Sequence, residues 1–233
     1  MTAFINISFA QANELIGCWD FNDVSNGVVR DLSGNDHHGK IHGTPEIVQG
    51  VSGAALKFST NDDYVDFGRP LVPEKDFTIS VWLNCDAVDK QFFLGQYQYK
   101  HPNRLDLAIR EGAVRIQIGN IVNSQKIIEK NQWYNIVYTR KNNLMKIYMN
   151  GALVKEAELD AAVIQSENLM LGKINVPDST AFRFTGMLDE LRIYHGALNA
   201  DEIKTQYENL ARLSKEAKPC GRLQSRLLRT KPE

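Results

Sequence analysis

Cysteine is scarce in this chain: Cys18, Cys85 and Cys220 are the only three in 233 residues, too few for a disulfide framework. A single Cys18–Cys85 bond stays open. Cys and His nowhere fall at the spacing of a zinc site. No run of 18 apolar residues occurs, so nothing reads as a membrane-spanning helix. Charge of one sign is also missing: 27 Lys and Arg against 28 Asp and Glu leave a net charge of −1. That balance gives no electrostatic case for nucleic acid or an acidic membrane. Neither a Gly-x-Ser-x-Gly elbow nor a Gly-rich phosphate loop is present. Helical periodicity is absent before residue 199.

What is there is alternation. At 43% hydrophobic and 24% charged, the chain can bury a real core. "LIGCWDF", "AALKF", "YVDFG", "FTISVWLN", "QFFLGQYQY", "RLDLAIR", "VRIQIG", "WYNIVYTR", "LMKIYMNG", "NLMLGKI" and "FTGMLDELRIY" read as strands. They are rich in β-branched and aromatic residues and are separated by turn clusters. Asn150-Gly151 is a favoured type I′ pair, and Lys141–Asn143 marks the hairpin before it. About a dozen short strands without helices must bury their apolar faces on one another, as a sandwich or a barrel. One helix follows: Asn199 caps it, Glu202 completes a capping box, and Ile203, Tyr207 and Leu210 share a face.

The ends differ from this body. "FINISFAQA" is apolar and closes on Ala10-Gln11-Ala12, the small-x-small pattern before a signal cleavage site, although no basic stretch precedes it. We take residues 1–12 as a leader remnant, which implies a secreted, extracellular or periplasmic protein. "LIGC" resembles a lipoprotein box, but Glu14 would interrupt the apolar run before it. Residues 13–212 form the domain. Residues 213–233 are basic, with prolines and no sustained period, and read as a tail or linker through which a partner domain or assembly could be engaged.

"WDFND", "DLSGNDHHGKIHG", "GVSGAALKFSTNDDYVDFG", "FTISVWLN", "NQWYNIVYTRKNNLMKIYMNGALV" and "GMLDELRIYHGALNADEIKTQYE" stand in the order typical of one family. The chain resembles laminin-G-like domains of the concanavalin A-like superfamily, in the bacterial, pentraxin-related branch. The resemblance covers about residues 15–210. It implies an all-β fold: a two-sheet antiparallel jelly-roll sandwich with its terminal strands side by side and one short C-terminal helix. It also implies a non-catalytic secreted binding module with a glycan or glycoprotein partner. A structural module of an assembly, or a glycoside hydrolase of the same fold, are the alternatives.

Glycan binding needs flat rings together with amides and carboxylates that bond hydroxyls. The candidate is "FFLGQYQYKHPNRLDL", where Phe93, Gly95, Tyr97 and Tyr99 share a parity. Tyr97, Tyr99, His101 and Asn103 are the candidate ligand residues, with Tyr99, His101 and Asn103 at the loop tip. Trp19 and Trp82 fit core positions, and Trp133 a strand start. His37 and His38 are neighbours and would face opposite ways, which argues against joint ligation. Asp31 and Asn35 are expected to bond the backbone of that loop. Glycoside hydrolases of the superfamily that the chain resembles use two carboxylates along one strand, often as Glu-x-Asp-x-x-Glu. The one Glu-x-Asp here, Glu158-Leu159-Asp160, is followed by Val163 at the required position.

One acid is out of place. Alternation puts Asp189 on the apolar face of its strand with Met187, Leu191 and Ile193, and Asp23 on the face of Trp19 and Phe21. With the terminal strands adjacent, as the resemblance implies, two inward acids approach each other. A structural calcium ion held by Asn22, Asp23, Asp189 and loop carbonyls would resolve both. Asp189 could instead accept backbone N–H bonds, or the register could be shifted by one residue.

Export carries a direct test. Mass spectrometry of protein secreted from the full reading frame is expected to show a mature N-terminus near Asn13, and an intact N-terminus in the cytosol would refute it.

Overall fold

In the computed structural model, residues 13–176 and 182–216 are described; residues 1–12, which the sequence reads as a leader remnant, Cys220 and most of the 213–233 tail lie outside them. The strands are β1 (Glu14–Trp19), β2 (Val24–Ser25), β3 (Val28–Val29), β4 (Gly39–His42), β5 (Glu46–Gln49), β6 (Ala54–Phe58), β7 (Tyr64–Asp66), β8 (Phe77–Cys85) and β9 (Gln91–Gln96). Then come β10 (Leu105–Arg110), β11 (Ala113–Ile118), β12 (Asn120–Lys126), β13 (Trp133–Lys141), β14 (Leu144–Met149), β15 (Ala152–Glu158), β16 (Leu169–Leu171), β17 (Gly186–His195) and helix α1 (Ala200–Glu216). The helix thus runs past the boundary expected at residue 212.

Two antiparallel sheets face each other as a jelly roll. One runs β15-β14-β13-β8-β17-β6-β5, with β1 also paired to β17; the other runs β12-β11-β10-β9-β16-β7-β4-β3-β2. Alternation explains why the sheets stack. In β10, Leu105, Leu107 and Ile109 enter the shared core, as do Val114, Ile116 and Ile118 of β11 and Ile79, Val81 and Leu83 of β8. Trp19 and Phe21 are fully buried there. The hairpins are as read: Asn150 and Gly151 both have positive φ, 51° and 78°, between Met149 and Ala152. That geometry defines a type I′ turn.

Trp82 is buried on the other face of its sheet. It stacks on Tyr207 of α1, ring centroids 5.6 Å apart, in a small cluster with Val51 and Leu210 that Trp133 packs against. The helix begins as expected: Asn199 Oδ1 accepts the N–H groups of Asp201 and Glu202, and Glu202 Oε2 accepts that of Asn199. The terminal strands β1 and β17 are neighbours. Cys18 and Cys85 are both free thiols. Cys18 lies opposite Arg192 and Cys85 opposite Gly186, about 20 Å apart at 3.3 Å per residue, too far for the bond left open by the sequence.

The loops are held by polar side chains that bond the backbone. Asp31 accepts the N–H groups of Cys18, Ser33 and His37, and Asn35 donates to the carbonyls of Leu15 and Ile16. Asp63 accepts from Thr44, Ser59 and Thr60. Arg140, with no solvent exposure, donates to the carbonyls of Asn142, Leu159 and Ala161 and knits one end of the sandwich together.

Alternation fails where it matters for Asp189. The register of β17 on β8 shifts between Asp189 and Arg192, and Glu190 adopts φ 53°. Here the neighbour of β17 changes from β6, ending at Leu188–Leu56, to β1, starting at Leu191–Trp19. A bulge at this junction absorbs one residue. Leu188, Leu191 and Ile193 therefore face the core, whereas Asp189, opposite Trp82, faces the turn joining β5 to β6. The inward placement expected for Asp189 is thus corrected, although the carboxylate is fully buried. Its Oδ2 accepts the N–H groups of Val51 and Ser52, and Oδ1 that of Glu190.

Burial, joined by the charge of Glu190, pushes the Asp189 carboxyl up to about 7, against the pull of its three backbone donors. A folded pKa above the unfolded one gives stability that is complete below about 4 and lost as pH rises through about 7. Asp31 and Asp63 lie on the other side of their ordinary value; burial raises them, but their N–H partners win and lower them. Their contribution is present above about 4 and lost in stronger acid. Thermal unfolding across pH should show highest stability near pH 5 and a decline toward pH 8. Asp189→Asn is expected to lower the melting temperature and to flatten that decline; an unchanged slope would assign it elsewhere. Arg140→Leu, which strips donors from the carbonyls of Asn142, Leu159 and Ala161, is expected to cost about 3 kcal/mol in chemical denaturation.

Candidate functional site

The sheet face turned away from the core along β9, β10 and β11 gathers rings and charges. Alternation aims Asp106, Ala108 and Arg110 of β10 outward, with Ala113, Arg115 and Gln117 of β11 beside them, since their alternates are core residues. On β9 the register slips between Leu107 and Ala108, so that Ala108 lies opposite Phe92 and Leu107 opposite Leu94. Phe93 is the extra residue and enters the core. Phe92 and Tyr97 instead form an outer cluster with Ala108 and Ile174, against which Val176 and Phe182 pack. The parity expected for Phe93, Gly95 and Tyr97 is corrected for Phe93 by this bulge. Gly95 is required in this packing, because a Cβ would come within 2.4 Å of Ile174 Cγ2.

The charged residues converge here. The Arg104 guanidinium lies 5.5 Å from the centre of the Tyr97 ring. Those of Arg110 and Arg115 lie 6.0 and 5.9 Å from that of Phe92, cation–π distances. Asp106 is 1% exposed, and its Oδ1 lies 3.5 Å from Arg115 Nε. The two form an ion pair without hydrogen-bond geometry: Asp106 Oδ1, Arg115 Nε and Arg104 Nε are buried with no hydrogen-bond partner in the structure. Buried polar atoms are rarely left so. Burial pushes the Asp106 carboxyl up to about 6 although three arginines pull it down. Burial also lowers Arg115, with the repulsion of Arg110 and Arg104 adding to it against the pull of Asp106. Next to this cluster a groove of about 400 Å³ runs between Arg110 and Arg115 on one side and Asn123, Ser124 and Lys126 of β12 on the other.

Of the residues singled out in the sequence, Tyr97 lies in this cluster, 7% exposed. Tyr99 stands on the adjacent loop, 51% exposed, with Lys100 Nζ 5.3 Å from its ring centre. His101 serves the turn: its Nδ1 accepts the Asn103 N–H and its carbonyl accepts from Arg104 Nη1. The Asn103 carbonyl accepts the Ile164 N–H. Phe92, Arg104, Asp106, Arg115 and Gln117 were missed. The alternation in "RLDLAIR" and "VRIQIG" aims four of them, Arg104, Asp106, Arg115 and Gln117, outward, but nothing local shows that residues 173–176 and 182 bury that face.

A larger hollow of about 550 Å³ lies at the end of the sandwich beside Glu74, Asp76, Asn142 and His195. No Phe, Tyr or Trp lines it, and Asp76 is engaged by the Asn142 N–H. His37 and His38 hold their loop: His37 Nδ1 is 2.9 Å from the Ile16 carbonyl and His38 Nδ1 accepts the Asp31 N–H. Asp160 accepts from Asn143, and Val163 is buried.

Asn22, Asp23 and Asp189 do not fit a calcium ion as folded. The Asp189 oxygens face N–H groups, which carry positive partial charge where a cation would sit. Asn22 Oδ1 accepts the Ala54 N–H, and its Nδ2 donates to Asp20 and Ser52. Asp23 is half exposed and pairs with Arg30 at 3.6 Å. The charge acting on Asp189 is that of Glu190, not Asp23. Among the described residues no cluster of three or more His, Cys, Asp or Glu could hold a metal. Asn22 and Asp189 do meet on one structure, the turn 50–54, which they grip from two sides. Gly53, at φ 82°, fits there because a Cβ would come within 2.1 Å of Asn22 Oδ1.

Comparison with known proteins agrees with this fold. No curated protein sequence matches the chain. Domain 4 of AbnA, a GH43 extracellular arabinanase from Geobacillus stearothermophilus solved in complex with arabinotriose, superposes with a TM-score of 0.68 at 21% identity, covering 85% of this chain and 98% of that domain. The binding domain of Paraclostridial Mosquitocidal Protein 1 gives 0.67 at 16% identity, covering 84% of this chain, which spans about half (52%) of that domain. The receptor binding domain of botulinum neurotoxin D gives 0.61 at 14%, with coverage of 84% and 52%. At these identities the likeness is one of fold. The Laminin_G_3 family, described as the concanavalin A-like lectin/glucanases superfamily, matches residues 59–204. The chain, as the order of its strand motifs led one to expect, belongs to this superfamily.

Proposed function

We propose that the chain is a secreted, non-catalytic binding module for glycan, free or carried on a glycoprotein, and that the outer face of β9–β11 is its sugar-contacting surface. The observation that carries this reading is the buried cluster of Asp106, Arg104 and Arg115 with unpartnered polar atoms, set against the rings of Phe92 and Tyr97. The buried rings of Phe92 and Tyr97 hold the arginines in place, and sugars bind where such fixed donors and acceptors replace the hydrogen bonds that their hydroxyls lose. A related fold is known with arabinotriose bound, which supports sugar recognition by this architecture. No helix of the described residues is long and apolar enough to cross a membrane.

Titration of a glycan panel is expected to give binding without turnover. Arg110→Ala, at a side chain 36% exposed, should weaken it at least about tenfold, with near-native melting temperature as the folding control. Turnover lost on Glu158→Gln or Asp160→Asn would make the protein a hydrolase instead. A structural calcium is tested separately. The N–H partners of Asp189 predict a melting temperature equal in calcium and in EDTA, and a rise with calcium that Asp189→Asn abolishes would restore the ion.

A further inference from the structure

We infer that the groove beside Arg110 and Arg115 takes the anionic group of an acidic sugar, a uronate carboxylate or a sulfate ester, with these two guanidinium groups as its clamp. The inference rests on the glycan-binding reading and names the class of sugar.

Three observations lead to it. The first is placement. Arg110 and Arg115 sit on the same ring, that of Phe92, and both line the groove, with Lys126 on its far wall. Arg115 is held in orientation by Gln117, whose Oε1 accepts from its Nη2. Planar forks fixed in this way suit bidentate oxyanions. The second is charge. Arg104, Arg110 and Arg115 all act on one buried carboxylate, Asp106. The other acids nearby, Asp89 at 3.3 Å from Arg110 and Glu111 at 2.6 Å from Lys126, are 47% and 68% exposed. Such exposed pairs are weak and give way to a ligand at little cost. The third is that Arg115 is under-bonded: its Nε lies 3.5 Å from Asp106 Oδ1, and among the described residues neither atom has a hydrogen-bond partner.

Asp106 makes the groove sensitive to pH. Its surroundings are Arg104, Arg110, Arg115 and Tyr97 on its own face, and Tyr138 from the opposite sheet, which donates to the Arg115 carbonyl. The segment packed over Phe92 and Tyr97 brings Ile174, Val176 and Phe182, and Arg183, bridged to Gln91; it adds no acid among these residues. With Asp106 titrating near 6, acidification removes the one buried negative charge under the groove and strengthens its hold on an anion.

The test is calorimetric titration at constant ionic strength, at pH 5.5 and 7.5, with an oligogalacturonide, a sulfated oligosaccharide and a neutral arabino-oligosaccharide. We expect an acidic oligosaccharide to bind at least about tenfold tighter than the neutral one, and tighter again at pH 5.5. Preference between the first two probes identifies carboxylate or sulfate. Arg110→Gln and Arg115→Gln should each abolish the preference for acidic sugar. Asp106→Asn should bring the affinity at pH 7.5 to that at pH 5.5, about tenfold higher. Lys126→Gln, on an exposed wall, tests the groove without touching the buried cluster and should weaken acidic binding alone. Tighter binding of the neutral sugar overturns the acidic class and leaves the binding module standing. Absence of binding to every probe and to a wider glycan panel removes both.

Discussion

The connections of this sandwich depend on buried polar side chains that bond to backbone. Without disulfides between its described cysteines, the chain fixes its loops by placing Asp31, Asp63, Asp189 and Arg140 where loop N–H or C=O groups would otherwise lie unpaired away from water. An unmade buried hydrogen bond costs more than a made one contributes, so each of these residues is more a requirement than a bonus. Gln96 belongs to the same set, its amide joining the N–H groups of Leu71 and Val72 to the carbonyl of Ile164. Together they tie the first loop, the β6–β7 turn, the β5–β6 turn and one open end to the rigid sheets.

The outer face of β9–β11 obeys a different rule. Asp106 is buried and Arg115 half-buried, yet both are incompletely bonded, and the positive charges around them exceed what the nearby buried acid can balance. Among the described residues Asn61, Trp82 and Asn84 also keep a buried polar atom without a partner, but only in this cluster do such atoms belong to charged side chains, and a grouping of under-bonded charges points to a surface that meets a ligand.

Much of the architecture was legible. Alternation in β8, β10, β11 and β13 names the core, Asn150-Gly151 names its turn, and Asn199 with Glu202 names the start of α1. The turn-bonding roles of Asp31 and Asn35 were also readable, because Asx residues act over a few positions. What escaped was non-local. A bulge at Phe93 and another at Asp189–Glu190 each reverse parity with one extra residue, and neither carries a glycine that would announce it. The second arises because β17 changes partner from β6 to β1 there, a fact of tertiary pairing. The burial of Asp106 likewise depends on Ile174 and Phe182, some seventy residues away. Tyr97 was found because its ring is visible in any reading; its charged neighbours look like solvated residues until the covering segment is in place.

The position of β17 also shapes how the molecule is made. This strand, residues 186–195, lies inside the eight-stranded sheet, paired with β8 on one side and with β6 and β1 on the other. During synthesis β8 emerges about ten seconds before it, at ordinary elongation rates. Throughout that interval the nine buried residues of β8 have an open edge, and β1 has no strand to join. Such far-separated pairing folds slowly and exposes sticky edges meanwhile. No N-terminal portion can close early as a smaller domain, so a ribosome that stalls before residue 195 releases a chain with an unfinished sheet, ready to pair with its neighbours.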